Sequence, residues 1–125
     1  MSEFKNEKIN ERIYDLEERT AIFAENVILL CKIIPENTLT KPIISQLIRA
    51  ATSIGANYME ANGASSKKDF INKIFICKKE SQESRHWLRM LTTCCPGKKD
   101  QIAKLWKEVQ ELSMIFHKIS KSTRS

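Results

Sequence analysis

Apolar residues recur at alternating steps of three and four through four long segments of this chain. The fourth segment shows the pattern well: Ile102, Leu105, Val109, Leu112, Phe116, Ile119. Residues three and four apart lie on one face of a helix, so this spacing predicts helices that pack on other helices. No segment shows the sustained alternation that is typical of a strand. We predict four helices, at about 9–34, 41–62, 67–94 and 99–121.

Three short stretches rich in turn-forming residues separate these segments. They span residues 35–40, 63–66 and 95–97. At the helix ends, Thr40 is a candidate N-cap of the second helix, and Ser66 with Asp69 forms a capping pair for the third. Short loops make neighbouring helices antiparallel. The predicted fold is therefore all-α, an antiparallel up-down-up-down four-helix bundle.

The positions of the apolar residues also predict how neighbouring helices align. In an antiparallel hairpin formed by the last two helices, Leu91 faces Ile102 and Leu88 faces Leu105, about a mirror point inside the turn at 95–97. The mirror points of the other two neighbouring pairs also fall inside the stretches that turn-forming residues mark independently of the apolar spacing. This agreement supports the antiparallel arrangement.

Composition limits the kind of protein that can result. The chain has 125 residues, which is the size of one domain, and we predict a single domain over 1–125. Its 42% hydrophobic and 29% charged residues fit a globular chain, and no apolar run approaches the length of a membrane span. The amino end, Met1–Lys5, is too polar for a signal peptide. These features predict a cytoplasmic protein without a membrane segment.

A more specific pattern runs through the second and third segments. The second reads Gln46-Leu47-x-Arg49-Ala50-Ala51-x-Ser53-Ile54-x-x-Asn57-Tyr58-x-Glu60-Ala61, and the third reads Asp69-Phe70-x-x-Lys73-x-x-Ile76-x-Lys78-Lys79-Glu80-x-x-Glu83-Ser84-x-x-Trp87-Leu88. Together they resemble the bacterial four-helix bundle family named for proteins encoded in intervening sequences of 23S ribosomal RNA genes. The accessory protein of diversity-generating retroelements is similar.

This resemblance covers roughly residues 9–120 and carries expectations beyond the fold. It implies a homopentamer, assembled as a barrel of bundles. In the retroelement relative it also implies a basic surface that binds nucleic acid and a reverse transcriptase. The chain departs from many members at Glu60-Ala61 and at Lys79-Glu80, where they carry Glu-Gly and Gly-Ser.

The polar residues of the pattern form a candidate network between the second and third helices: Arg49, Asn57, Glu60, Glu80, Glu83. Facing residues lie at equal distances in sequence from the mirror point of a hairpin, which we call the mirror rule. Applied to the second and third helices, it puts Arg49 near the level of Glu80 and Glu83. One interpretation is a pair of catalytic carboxylates held by an arginine. The other, which we favour, is a partly buried ion-pair network that sets helix register.

No other residues indicate an enzyme, a metal site or a cofactor. The chain has no glycine-rich phosphate loop and no nucleophile elbow. A di-metal bundle needs Glu-x-x-His on two helices, and Glu83 with His86 is the one match. The cysteines lack the spacing of a zinc site and are predicted to be free thiols, the first two of them buried: Cys31, Cys77, Cys94, Cys95. A redox role for the adjacent cysteines, Cys94 and Cys95, is the alternative.

Positive charge is concentrated in the second half of the chain. Residues 65–97 and 98–125 each carry seven basic and three acidic side chains, whereas residues 1–34 carry five basic and seven acidic ones. We predict a phosphate-binding face that uses seven of the basic residues: Lys67, Lys78, Arg85, Arg89, Lys104, Lys107, Lys118. The alternative is an ordinary solvated face. Only His86, Trp87 and Trp106 offer rings for stacking on bases, so sequence-specific reading is not predicted.

Apolar residues outnumber what the core of one bundle requires. The surplus lies on the first three helices: Ile22, Ile28, Leu29, Ile33, Ile43, Ile48, Ile71, Phe75, Ile76. A homo-oligomer would bury such a second face, and a thick monomeric core is the alternative. We therefore predict a non-enzymatic, self-assembling bundle whose basic face binds RNA or DNA backbone. The rival prediction is a structural or adaptor oligomer that binds another protein instead.

Overall fold

The computed structural model describes the backbone of residues 2–124 and the side chains of residues 16–123, so the side chains of the acidic amino end lie outside the described part. Its four helices are α1 (Ser2–Lys32), α2 (Thr40–Asn62), α3 (Lys67–Cys94) and α4 (Lys99–Arg124), with one short 3-10 turn at Pro96–Lys98. Over this range no helix has an apolar stretch long enough to cross a bilayer. The all-α prediction is confirmed, and α1 begins earlier than the periodicity indicated.

Contacts between helices establish the antiparallel order. Arg49 on α2 contacts Glu80 on α3, and further along α2 Glu60 contacts Lys73, so the partner position on α3 falls as α2 advances. In the next pair of helices, Lys78 meets His117 and Arg85 meets Gln110.

The helices do not share their interfaces equally. Among the described residues, the α2–α3 and α3–α4 interfaces are the most extensive, α1 packs mainly on α2, and α1–α4 is the smallest interface between helices. The antiparallel up-down-up-down bundle is confirmed. The α3–α4 contacts agree with the predicted register to within about one residue on each helix.

The predicted apolar seams form the core. The largest fully buried side chains come from all four helices and include Phe23, Ile54, Leu88 and Phe116. Tyr58 packs against Phe116 across the bundle, with 5.9 Å between the ring centroids. Burial of each large aliphatic or aromatic side chain contributes about 1.5–3 kcal/mol, so these layers supply most of the drive to fold.

Two small polar residues lie inside the core on α3. Ser81 and Ser84 are fully buried, and each hydroxyl donates to the backbone carbonyl four residues earlier, on Cys77 and Glu80. Because their hydroxyls are satisfied within the helix, they carry no unpaired polar group, and their small size lets neighbouring helices approach closely.

The two predicted caps have different outcomes. The side-chain oxygen of Ser66 accepts from the backbone N–H of Asp69 at 3.0 Å, as the capping pair predicts. The prediction for Thr40 is wrong, because α2 has Leu39 at its N-cap position and no side-chain bond from that residue.

Asn37 supplies the acceptor at the start of α2 instead. Its side-chain oxygen accepts from the backbone N–H groups of Leu39 and Thr40, at 2.9 and 3.0 Å. The Thr40 hydroxyl points back into the turn, where it accepts from the Asn37 N–H and donates to the Pro35 carbonyl. An Asx turn therefore satisfies the helix start.

Candidate nucleic-acid interface and polar network

Arg49 joins the two glutamates of α3 as the mirror rule predicts. Its Nη1 donates to Oε2 of Glu80 at 3.0 Å and its Nη2 donates to Oε1 of Glu83 at 3.2 Å. Its Nε donates to Oε1 of Gln46, one turn earlier on α2, at 3.1 Å. All three nitrogens of the guanidinium therefore donate to acceptors from this pair of helices.

Burial controls the electrostatics of this cluster. Glu80 is 7% exposed, and burial raises the pKa of its carboxyl. Arg49 lowers that pKa and Glu83 raises it, and burial and Glu83 together outweigh Arg49. For Arg49, burial acts to lower the pKa, but Glu80 and Glu83 outweigh it and the pKa is raised. The arginine stays charged and holds a carboxylate that would otherwise resist burial.

The other two polar residues of the pattern lie further along α2. Asn57 donates from Nδ2 to the Ser53 carbonyl of its own helix at 2.8 Å. Glu60 pairs with Lys73 on α3, with 3.5 Å between Oε1 and Nζ. The structure therefore brings Arg49, Glu80 and Glu83 together and leaves Asn57 and Glu60 outside that cluster.

Sequence reasoning missed an ion pair between α1 and α4. Arg19 donates from Nη2 and Nε to the two carboxylate oxygens of Glu108, at 2.7 and 3.1 Å, and Nη2 also lies 3.4 Å from Glu111. Both residues look like ordinary surface charges, and their helices are far apart in sequence. No spacing rule pairs them, because no single turn connects α1 to α4 and fixes their register.

Two arginines of the predicted basic face flank a tryptophan between α3 and α4. The guanidinium carbon of Arg85 lies 5.3 Å from the centroid of the Trp106 ring, and its Nη1 donates to Oε1 of Gln110. Arg85, Arg89 and Trp106 line a cleft of about 200 Å³ with Gln82 and His86.

A second cleft adjoins the first, and its lining is mostly apolar. It has a volume of about 310 Å³ and these lining residues: Arg89, Thr92, Thr93, Lys99, Ile102, Ala103, Trp106. Trp106 and Arg89 belong to both clefts. We call the surface formed by Arg85, Arg89, Lys99 and Trp106 the Trp106 groove. Sequence reasoning did not select Lys99, although its spacing of seven residues from Trp106 would have placed both on one side of α4.

The remaining predicted basic residues spread over other parts of the bundle. Lys78 lies about two turns before Arg85 on α3, and its Nζ is 3.0 Å from Nδ1 of His117. Lys104 lines a different cleft, of about 310 Å³, between α1 and α4. Lys67 begins α3 and lies about 27 Å from Arg85 along the helix axis, while Lys107 and Lys118 are exposed on α4. The seven residues therefore do not form one compact patch.

The four cysteines are free thiols. Burial raises the pKa of Cys31 to about 11 and that of Cys77 to about 12, so both thiols stay protonated at neutral pH. Cys94 and Cys95 are half-buried at the end of α3. Over the described side chains, 16–123, no three residues of the His, Cys, Asp and Glu types cluster as metal ligands would.

The surplus apolar residues divide between the core and the surface. Ile43 and Ile48 of α2 pack against the core. On α1, by contrast, Leu29 and Ile33 are 58% and 52% exposed and line the α1–α4 cleft beside Lys104. An apolar strip on α1 therefore stays open to solvent in the single chain.

Taken together, four antiparallel helices with an α2–α3 ion-pair cluster define an all-α bundle of the up-down-up-down type. The family model for the 23S rRNA-intervening sequence protein matches residues 12–118, which is most of the chain. The protein belongs to this family. The resemblance inferred from the motifs of the second and third helices is thereby confirmed.

A solved structure supports the same assignment. The chain is similar to a protein with unknown function from the S23 ribosomal protein family of Bacteroides thetaiotaomicron, with a TM-score of 0.74 and 29% sequence identity. The match covers 85% of this chain and 98% of that chain. No curated protein matches the chain.

Proposed function

We propose that this protein is a non-enzymatic, self-assembling bundle of the cytoplasm whose α3–α4 side binds nucleic acid through the phosphate backbone. The observation that carries the proposal is the charge distribution. The second half of the chain carries fourteen basic and six acidic side chains over residues 65–125, and Arg85, Arg89 and Lys99 meet at the Trp106 groove. Phosphate contacts of this kind supply sequence-independent affinity.

Pairing of charges inside the bundle strengthens this proposal. Among the described side chains, the ion pairs between helices engage Arg19, Arg49 and Lys73. None of them engages a member of the predicted basic set. Lys78 and Arg85 contact His117 and Gln110, but no carboxylate among the described side chains forms an ion pair with any of the seven cations. A phosphate would therefore not compete with a carboxylate for them, whereas an ion-paired cation would lose its counterion on binding.

Salt dependence tests the phosphate proposal. Binding of a short duplex and of the matching single strand, followed by fluorescence anisotropy at about 50 and 200 mM salt, should weaken steeply as salt rises. The double variant Lys107→Gln with Lys118→Gln should bind more weakly and lower the salt slope by about 0.7–0.9 for each phosphate that is no longer neutralised. Lys32→Gln with Lys41→Gln removes the same charge from exposed sites of the first two helices and serves as the control.

Two results would contradict the proposal. One is the absence of binding at low salt, and the other is binding that does not respond to salt. Equal weakening of the test and control variants would show that net charge, and not the α3–α4 side, governs affinity.

The exposed apolar strip supports self-assembly. Leu29 and Ile33 lie on α1 in the α1–α4 cleft, where a second copy would cover apolar area that the single chain leaves in water. The family resemblance implies a pentamer. Light scattering at tens of micromolar should report a multiple of the 14.5 kDa chain mass, and Leu29→Glu with Ile33→Glu should reduce it.

Leu39→Glu provides the control for that measurement, because Leu39 is 68% exposed at the start of α2 and does not line the α1–α4 cleft. A monomer in the unmodified protein would contradict self-assembly. The same apolar strip also favours the second candidate function, an adaptor oligomer that binds another protein. That candidate is favoured if the protein assembles but binds neither duplex nor single strand at low salt.

A further inference from the structure

Trp106 is placed unusually for a residue that serves packing alone. It is 38% exposed on α4, although tryptophan buries more apolar area than almost any other side chain. The Arg85 guanidinium lies over one face of its ring, with 5.3 Å from the ring centroid to the guanidinium carbon, and Arg85 is itself held by Gln110. Two contacts therefore orient a cation against an accessible aromatic ring.

The larger cleft beside Trp106 has the properties of a site for a flat ring. Its volume of about 310 Å³ lies at the lower end of the range for small-molecule sites, and its lining is mostly apolar. Thr92 and Thr93 also line it, with the Thr92 hydroxyl donating to the Leu88 carbonyl of its own helix, and so do two basic residues, Arg89 and Lys99. An aromatic group that carries a negative charge matches this combination.

We propose that the Trp106 groove binds one unpaired nucleotide, whose base stacks in the larger cleft on the face of Trp106 that Arg85 does not cover and whose phosphate is bound by Arg89 and Lys99. This inference rests on the proposed function and adds a specificity to it. A base in a duplex is stacked on both faces and cannot reach Trp106, so the groove selects single strands over duplexes. Lys107 and Lys118, on the exposed side of α4, contact the phosphates of single strands and of duplexes alike.

Substitution of Trp106 tests the stacking. Because removal of a base–aromatic stack costs about 5- to 150-fold in affinity, Trp106→Leu should weaken binding of a short single strand by a factor in that range and leave duplex binding unchanged. Trp106→Phe keeps a ring and should stay within about threefold of the original protein. Met114→Ala, at another exposed apolar residue of α4, is the matched control and should change neither.

Fluorescence provides a direct readout at the same ring. Trp87 is the second tryptophan, and its buried indole N–H has no hydrogen-bond partner among the described residues, so Trp87→Phe removes it without breaking such a bond. In that background the emission reports Trp106 alone, and a stacked base should quench it. A single strand should quench at concentrations where the duplex does not.

The outcomes separate this inference from the proposed function. If Trp106→Leu leaves single-strand binding within twofold, or weakens single strand and duplex equally, stacking is wrong while salt-dependent phosphate binding stands. If neither polymer binds at low salt, both proposals fail. The last measurement uses a nucleoside monophosphate in place of the oligonucleotide. Quenching of Trp106 at equally low concentrations would identify a free nucleotide as the ligand and overturn the strand proposal. Quenching only at higher concentrations supports the strand.

Discussion

The α2–α3 interface and the Trp106 groove use the same kinds of side chain in opposite ways. At the first, Arg49 is matched by Glu80 and Glu83, so its charge is compensated within the bundle. At the second, Arg85 and Arg89 border clefts whose described lining includes no carboxylate. Compensated charge fixes the alignment of two helices, whereas uncompensated charge next to an exposed ring leaves binding capacity for an anion.

The largest effect on stability should come from Arg49→Met. The change leaves the buried Glu80 carboxylate without its partner, and we expect a decrease of about 1–3 kcal/mol in the free energy of unfolding, since the half-exposed arginine is partly screened by water. Chemical denaturation measures it. Nucleic-acid affinity of the folded variant should stay unchanged, and weaker affinity at unchanged stability would reverse the roles assigned to the two regions.

The opposite result is expected for Arg89→Gln in the groove. Removal of one cation should weaken single-strand binding several-fold at about 50 mM salt, and less at higher salt because screening already weakens that contact. The free energy of unfolding should stay within about 0.5 kcal/mol, as for most exposed substitutions. Lys32→Gln, an exposed charge at the end of α1, is the control. Equal weakening by both variants would remove the distinction between groove and general surface.

A smaller effect is expected for Glu80→Gln. The amide keeps an oxygen for Arg49 and removes the cost of burying a charge, so the free energy of unfolding should fall by less than about 1 kcal/mol, or rise. Any decrease should be smaller than that for Arg49→Met. Denaturant titrations of both variants beside the unmodified protein compare the two, and a larger decrease for Glu80→Gln would contradict the burial argument.

The pH dependence of the same variant gives a second check. The folded-state pKa of Glu80 is raised above its ordinary value of 4.5, so the folded state binds its proton more tightly than the unfolded state does. The stability of the unmodified protein relative to Glu80→Gln should therefore increase as pH falls from 7 through the folded pKa towards 4.5. An opposite slope would mean that Arg49 outweighs burial at this carboxylate.

The smallest effect is expected at the exposed ion pair that lies on the same interface. Lys73→Met removes the partner of Glu60, which is 58% exposed at its side chain, and the cost should be below about 0.5 kcal/mol. A thermal or denaturant midpoint measures it. A cost as large as that of Arg49→Met would show that burial of the carboxylate does not govern this interface.

Much of the fold could be predicted from local patterns. The apolar spacing and the three turns located the helices, and the Ser66 cap and the contact of Arg49 with Glu80 and Glu83 followed from spacing and the mirror rule. The cap of α2 could not be assigned in this way, because Asn37 and Thr40 both suit a helix start and the path of the turn decides which oxygen meets the free N–H groups.

The candidate site was harder to predict than the fold. Stripes along single helices grouped Lys104 with the other basic residues, yet Lys104 lines the α1–α4 cleft and Lys99 joins Trp106 instead. Spacing within one helix shows which of its residues share a side of that helix. Which residues of two helices line one groove also depends on how each helix is rotated about its own axis. The same reason explains why the pair of Arg19 and Glu108 was missed.

By itself, the sequence determined four amphipathic helices, their order and their antiparallel direction, because apolar spacing and turn residues act over a few neighbouring positions. Only the tertiary structure decided which charged side chains form ion pairs across an interface and which do not. Arg49 and Arg89 are both arginines on exposed helix flanks, and what distinguishes them is the neighbour across the interface: a buried carboxylate for one, an accessible tryptophan for the other. That neighbour is set by the rotation and offset of packed helices, which local spacing leaves open.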